Sequence, residues 1–522
     1  MRMRALGTAA AFGIVSTTAG MAFGAWSSDP MANTVVAAMS GDQVQPKIVP
    51  IDDGGAYVSW FDSLGNGFDV FVMRIDANGD PVWNEPTLVA DRSFSSTQDY
   101  GLSIDSSGAA VLAFRDDRFS PLRITANRVL LDGSLAWGEF GAQLGNGAAF
   151  LASPRVAGAS DGSVYVAWTE DATARIAQLN SAGVSQWDDT LTDPTGQSFS
   201  PSDLHASDAP GETGEVVMLI ARQGGFTTPR HLYAQKFDAA GNRLWGANST
   251  AIFTSGSLQF GNFPTFTPDG TGGMVVAWYS SSPSLQCFVQ RLDSTGAAEL
   301  PANGLPVSTN ATRLRVSPSA AYDSASGSIY ATWIELNGAQ SMHGVYAQRV
   351  FAGVRQWTDD GAVIEPLGNQ EFTQARTLLY NGVEPASFYV RTLGFGNQVV
   401  EGDKLSAFDG AIAWSTDVST AVSGKSRLTG TIAGSQAVMV WQDSRDDESD
   451  LYGQNVREDG SLGAAAVLGD LNGDGFVNGA DLAELLANWG PCPDINNCPA
   501  NLNGDGIVNG ADLATLLANW TG

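Results

Sequence analysis

The sequence predicts an all-β protein built as an eight-bladed β-propeller, followed by a small α-helical domain. Two observations predict the propeller: an aromatic residue that ends an alternating strand recurs about every 54 residues, and a second tryptophan series, each member following a glycine turn, is interleaved with it. A third observation, a loop-plus-helix unit written twice near the C-terminus, predicts the helical domain.

The first series runs through Trp60, Phe114, Trp168, the segment Val216 to Leu219, Trp278, Trp333, Tyr389 and Trp441. Copies such as Val164-Tyr-Val-Ala-Trp168 show the period-two alternation of a strand. In the second series Trp83, Trp137, Trp187, Trp245, Trp357 and Trp414 follow glycine turns, commonly Asp-x-x-Gly or Asp-Gly, and the fifth unit keeps the turn, Asp293 to Gly296, without its Trp. Each unit therefore reads as four strands. The first is often opened by proline (Pro46, Pro154, Pro264, Pro318) and the second ends in the aromatic. The third resembles Leu232-Tyr-Ala-Gln-Lys-Phe237, and a short outer strand follows the turn. Four strands per unit is a propeller blade. The eighth unit, Ser426 to about Leu462, has no clear fourth strand, whereas Asn33 to Met39 is a spare one. It is expected to pair with the last unit and close the ring without an open edge. Seven blades is the alternative if Tyr389 is not a repeat position. The regular aromatics are expected to pack between blades.

At the C-terminus, Asp470-Leu-Asn-Gly-Asp-Gly-Phe-Val-Asn-Gly-Ala-Asp481 and Asn501-Leu-Asn-Gly-Asp-Gly-Ile-Val-Asn-Gly-Ala-Asp512 place side-chain oxygens at loop positions 1, 3, 5, 9 and 12 and glycine at position 6. That is the pattern of a calcium-binding EF-hand loop, in which position 7 lends its backbone carbonyl. The candidate ligands are Asp470, Asn472, Asp474, Phe476, Asn478 and Asp481 in the first loop, and Asn501, Asn503, Asp505, Ile507, Asn509 and Asp512 in the second. Two Ca2+ sites are expected. The second should be weaker, because Asn501 replaces an acid and affinity follows ligand charge. After each loop, Leu482, Leu485, Leu486 and Trp489, or Leu513, Leu516, Leu517 and Trp520, form an apolar stripe at helical spacing, expected to pack the two helices together. Cys492 and Cys498 flank five residues between the loops, a spacing compatible with a local disulfide. Cys287 is expected to be a small buried hydrophobe.

Residues 468 to 522 resemble dockerin domains, the calcium-binding modules that dock onto cohesins, and most closely the variant with a Gly-Pro-Cys element between repeats found in secreted planctomycete-type proteins. The resemblance implies a tether to a cohesin-like partner or another surface receptor. Dockerins often carry Ser or Thr just after loop position 9, where this chain has Gly479-Ala480 and Gly510-Ala511, so a receptor other than a standard cohesin is a live alternative. The propeller units resemble a Trp-Asp-x-Arg and Tyr-Ala-Gln-Arg repeat of secreted bacterial proteins of undefined function, most clearly at Trp441-Gln-Asp-Ser-Arg445 and Leu451-Tyr-Gly-Gln454. That implies fold, not activity.

Met1-Arg-Met-Arg4, the run Ala5 to Gly20 and Ala22-Phe-Gly24 read as a signal peptide over residues 1–24, cleaved before Ala25, leaving a propeller at 25–467 and the dockerin-like domain at 468–522. A retained anchor is the alternative to cleavage. Met3 separates the arginines, so general secretion rather than twin-arginine export is expected, with an extracellular or cell-surface address and no membrane span after cleavage. The net charge of −28 and the lack of a visible basic patch argue against nucleic acid. His205, His231 and His343 are scattered, without partners at metal-ligand or triad spacing, and read as surface or loop residues. The charged loops Arg115-Asp-Asp-Arg118 and Gln442-Asp-Ser-Arg-Asp-Asp-Glu448 are candidate ligand loops, with a solvated turn as the structural alternative.

Three functions fit the sequence. The first is a non-catalytic recognition or adhesion propeller for a polysaccharide or protein ligand, tethered by its calcium domain. The second is a carbohydrate-active enzyme, a glycoside hydrolase or lyase, which needs a placed carboxylate pair that nothing in the sequence singles out. The third is a structural protein-binding scaffold.

Overall fold

The computed structural model describes residues 25–63, 67–93, 100–145, 147, 149–207, 209–225, 228–446, 448–464, 468–472, 477–493 and 498–521. The leader at 1–24 lies outside the described residues, as do Asp447, Asp474 and Phe476. Eight antiparallel sheets of four or five strands follow one another along the chain, one per repeat, so Tyr389 is a true repeat position and the propeller has eight blades. Blade one comprises Gln43–Pro50, Ala56–Asp62, Asp69–Ile75 and Thr87–Ala90; blade seven comprises Glu371–Tyr380, Glu384–Gly394, Asn397–Leu405 and Ile412–Ser423. In blade eight the fourth strand is Thr34–Ala37, which pairs with Asp450–Arg457 from the other end of the chain. Register corrects one repeat position. In blade four Tyr233 faces Ile220, so Ile220, not Leu219, stands where the other blades carry Trp.

The second tryptophan series locks each blade to the next. The glycines of the turns between third and fourth strands, Gly79, Gly133, Gly183, Gly241, Gly296, Gly410 and Gly460, have φ between +75° and +92°. A Cβ on any of them would lie 2.6–3.1 Å from an indole of the preceding blade. Six of these indoles also donate Nε1–H to the carbonyl two residues before the glycine: Trp26 to Ala77 and Trp83 to Leu131, then Trp137 to Ser181, Trp187 to Ala239, Trp245 to Ser294 and Trp414 to Glu458, at 2.8–3.2 Å. Blade five substitutes Leu300, whose Cδ2 is 4.0 Å from the Cβ position of Gly353. Trp26, two residues from the expected cleavage point, supplies blade eight's clasp on blade one. The turn itself is built by its acid: Asp238 Oδ1 accepts from the backbone N–H of Ala240 and Asn242, and Asp293 Oδ1 from those of Thr295 and Ala297.

The third-strand glutamine seats the same indole. Gln235, Gln290 and Gln348 accept from the backbone N–H of Trp245, Leu300 and Trp357 and donate to carbonyls of the same loop. In blade eight Gln454 reaches Ser27 O at 2.6 Å, beside Trp26. Toward the axis, the first strands carry a bulge with a left-handed residue at Gln45, Ser153, Ser317, Gln374 and Arg427. Side chains there bond across to the next blade, as in Arg155 Nε to Ser202 O and Thr377 Oγ1 to Ser319 O.

Gly241→Ala and Gly382→Ala separate the clasp from backbone strain. Both positions are left-handed, at +84° and +74°, and either alanine costs roughly 1–2 kcal/mol. Only Gly241 would press a methyl onto Trp187, at 2.8 Å, while nothing lies within 4 Å at Gly382. Chemical unfolding is expected to show a further loss of about 1–3 kcal/mol for Gly241→Ala; equal losses would show that the indole is not held.

Candidate functional sites

The charged loops are structural. Asp116 and Asp443 are fully buried two residues after the strand-ending aromatic. Side chains two apart in a strand share a face, so this carboxylate lies beside the ring. Asp443 accepts from Trp441 Nε1 at 2.9 Å, Lys425 Nζ at 2.5 Å and Arg445 Nη2 at 2.6 Å. Burial alone would raise its pKa, but the two cations hold it at about 2. Trp168 with Glu170 and Trp333 with Glu335 repeat the contact at 3.0 and 2.7 Å, and Asp116 pairs with Arg118 at 2.7 Å. Arg445 also bonds Asn33 Oδ1 at 3.0 Å, fastening the N-terminal strand. The three histidines lie in strands rather than loops, and His205 meets Asp203 at 3.1 Å. Cys287 is fully buried, and burial pushes its thiol well above the ordinary range.

The third-strand glutamine occurs in blades four, five, six and eight; Met73, Asn127, Ala177 and Asp403 take its place in blades one, two, three and seven. Beside each of Ala177 and Asp403 lies a polar cavity against the preceding blade's outer strand, of about 280 and 170 Å³. Both are smaller than the roughly 300–1,000 Å³ of ordinary small-molecule sites. The blade-seven cavity gathers Glu365 from blade six with Tyr389, Glu401, Asp403 and Asp417. Tyr389 donates its hydroxyl to Asp403 at 2.7 Å, and Arg391 pairs with Glu401 at 2.5 Å. Burial pushes the Glu401 carboxyl up to about 7 although Arg391 pulls the other way, with Glu365, Asp417 and Asp403 adding repulsion. No linear motif marks this cluster, although aligning the third strands puts Glu401 and Asp403 on the Tyr and Gln positions of the repeat.

In the C-terminal domain, α1 (Gly479–Ala487) and α2 (Gly510–Ala518) start inside their loops. Asn478 and Asn509 are N-caps, and Asp481 and Asp512 complete capping boxes, so loop positions 9 and 12 are fixed by helix initiation. Asp481 accepts from the backbone N–H of Leu471, Asn472 and Asn478, bonds that outweigh its burial and lower its pKa. In the second loop, Asn501 Oδ1 and Asn503 Oδ1 both accept from Asp505 N, at 3.2 and 3.0 Å, so their oxygens converge on one point. Among the described residues no group of three or more His, Cys, Asp or Glu could hold a metal; the second loop offers mainly amide and backbone oxygens, with Asp505 and Asp512 its only acids. Cys492 and Cys498 are joined, S–S 2.05 Å. The apolar stripe divides differently from expectation. Leu485 and Leu516 are buried with Val477, Ala500 and Val508, but Leu486, Trp489, Leu517 and Trp520 are 40–51% exposed. Two nine-residue helices around so small a core bury only one edge of each stripe.

Glu401 sets a pH dependence with a definite sign. Its folded pKa of about 7 exceeds the unfolded 4.5, so the protonated carboxyl favours the fold below pH 4.5 and that contribution is lost as pH rises through 7. Stability measured between pH 4.5 and 7.5 is expected to fall less steeply in Glu401→Gln than in the parent; identical slopes would contradict the assignment.

Residues 468–519 match the family described as Dockerin type I domain. No curated protein matches the chain. Among solved structures, a prolyl endopeptidase aligns at 10% identity and TM-score 0.42, over 77% of this chain and 54% of that one, so the chain spans about half its length. Polysaccharide lyase Uly1 aligns at 11% identity and TM-score 0.41, over 80% and 91%. A protein of unknown function from Dyadobacter fermentans aligns at 10% identity and TM-score 0.36, over 81% and 96%. The chain is thus an eight-bladed β-propeller followed at its C-terminus by a dockerin type I domain.

Proposed function

We propose that this is an exported, non-catalytic recognition propeller, held at a cell surface or in an extracellular complex by its calcium-dependent dockerin domain. The dockerin match carries the reading: such domains bind calcium and dock onto cohesins. Asp470, Asn472, Asp474, Asn478 and Asp481 with the Phe476 carbonyl would hold one ion. Asn501, Asn503, Asp505, Asn509 and Asp512 with the Ile507 carbonyl would hold a second, weaker one. The convergence of the Asn501 and Asn503 side-chain oxygens on the backbone N–H of Asp505 supports that ligand set. The ions' role is to draw each loop onto its helix, which sets the exposed pairs Leu486 and Trp489, and Leu517 and Trp520, as a docking face for the receptor. The absence of hydroxyls at Gly479-Ala480 and Gly510-Ala511 favours an apolar contact over a hydrogen-bonded one. On the propeller, many of the repeat acids serve turns and aromatic rings, and the carboxyl cluster of blade seven sits in a cavity of about 170 Å³ at the blade periphery. That arrangement favours recognition over hydrolysis.

Calcium titration calorimetry is expected to resolve two unequal sites, and Asp474→Ala with Asp505→Ala to unfold the C-terminal domain and release the protein from its surface. Unchanged retention of the double variant would exclude the domain as the tether.

A further inference from the structure

No basic patch is visible along the sequence, yet the fold assembles one. The first strands of the eight blades, which line the ring axis, carry seven Lys or Arg against three Asp or Glu, in a chain with 27 basic and 55 acidic residues. Buried carboxylates neutralise two of these cations: Arg315 pairs with Glu335 and Lys425 with Asp443. Others stand at one level of the channel. Lys47, Arg155, Asp203, Ser319, Arg376 and Thr429 each face the residue just before the strand-ending position of their blade's second strand. The level thus holds three cations and one anion. Asp203 is engaged by Phe266 N at 3.0 Å and by His205, and, against its burial, the charge of Arg155 on the neighbouring first strand also lowers its pKa, so Arg155 is partly compensated.

Arg376 differs from the rest. Its Nη1 donates to Ala375 O at 2.9 Å, and among the described residues no carboxylate pairs with it. Water still reaches the side chain, but the surrounding strands strip enough solvation to lower its pKa. Arg155 belongs to the blade diametrically opposite, and on the adjacent first strand Arg427 is exposed at a bulge with φ +56°. A guanidinium that has lost part of its solvation without gaining a counter-ion is unfavourable unless a ligand supplies the charge. Its planar fork matches carboxylate and sulfate oxygens. A channel with an excess of cations also focuses field despite an opposite net charge, because salt screens the outer surface over about 8 Å.

We propose that the central channel is an anion-binding site and that the propeller's ligand presents carboxylate or sulfate groups to Arg376. This deepens the recognition reading and rests on it for the ligand, though not for the anion site itself.

Calorimetry on the full chain at low ionic strength tests both, with inorganic sulfate, a sulfated oligosaccharide, a uronic-acid oligosaccharide and a neutral oligosaccharide of equal length. The expected result is binding of sulfate and of one or both anionic saccharides, weakened at least tenfold in Arg376→Gln and less in Arg376→Lys, with unchanged thermal unfolding. If Arg376→Gln does not fold, Arg427→Gln, on an exposed side chain, is expected to weaken the same anions about threefold. Which saccharide binds separates sulfate from carboxylate recognition. Failure of the parent to bind any anion, or anion binding indifferent to these substitutions, overturns the inference. A neutral saccharide bound as tightly as the anionic ones overturns it while leaving recognition intact. Sulfate binding lost in Arg376→Gln with no saccharide bound supports the anion site and overturns the saccharide ligand.

Discussion

The contact between an outer-strand indole and the left-handed glycine of the next blade is the constraint on which the propeller depends. A blade packs only on its two neighbours, so the ring needs a specific inter-blade contact at each step. At Trp245 one residue supplies three elements of it: the indole face covers the glycine, the ring N–H satisfies a turn carbonyl, and the backbone N–H is taken by the third-strand glutamine. The turn acid then fixes the glycine's conformation through its own backbone N–H groups. Most of the polar motif residues that look functional in the repeat are absorbed by this assembly.

That absorption explains why catalytic candidates are scarce in so acidic a chain. The acid two residues after the strand-ending Trp neutralises a cation and satisfies an indole, as Glu335 does with Arg315 and Trp333. Blade seven is informative because it places two acids, Asp403 and Glu401, where blades four, six and eight carry Gln and Tyr. The outer strand there, Ile412–Ser423, is long and pairs with the third strand through three register shifts, so the backbone ladder holds it without the glutamine and leaves carboxyls between blades six and seven.

The blade number, the closing strand and the two loop-helix units were legible in the sequence because each repeats a local pattern. Trp26 was not, since it follows no glycine turn and is recognisable only by the Gly79 it covers. Ile220 was misplaced by one residue because an aliphatic strand offers no aromatic landmark; only pairing with Tyr233 fixes it. The helical stripes predicted helices but not the half left exposed, which depends on how little core two short helices enclose. The channel cations escaped notice because they come from strands far apart in the chain, and a charge pattern around an axis has no linear signature.

The propeller's first and last segments meet at blade eight, where Thr34–Ala37 completes the sheet and Trp26 completes the ring of clasps. Hydrogen–deuterium exchange of Trp26→Ala against the parent tests that closure most directly. Protection is expected to be lost first along Asp450–Arg457 and the turn at Asp76–Asp80, while blades three to six keep theirs. Protection unchanged at that junction would contradict the claim that the indole clasps hold the propeller together.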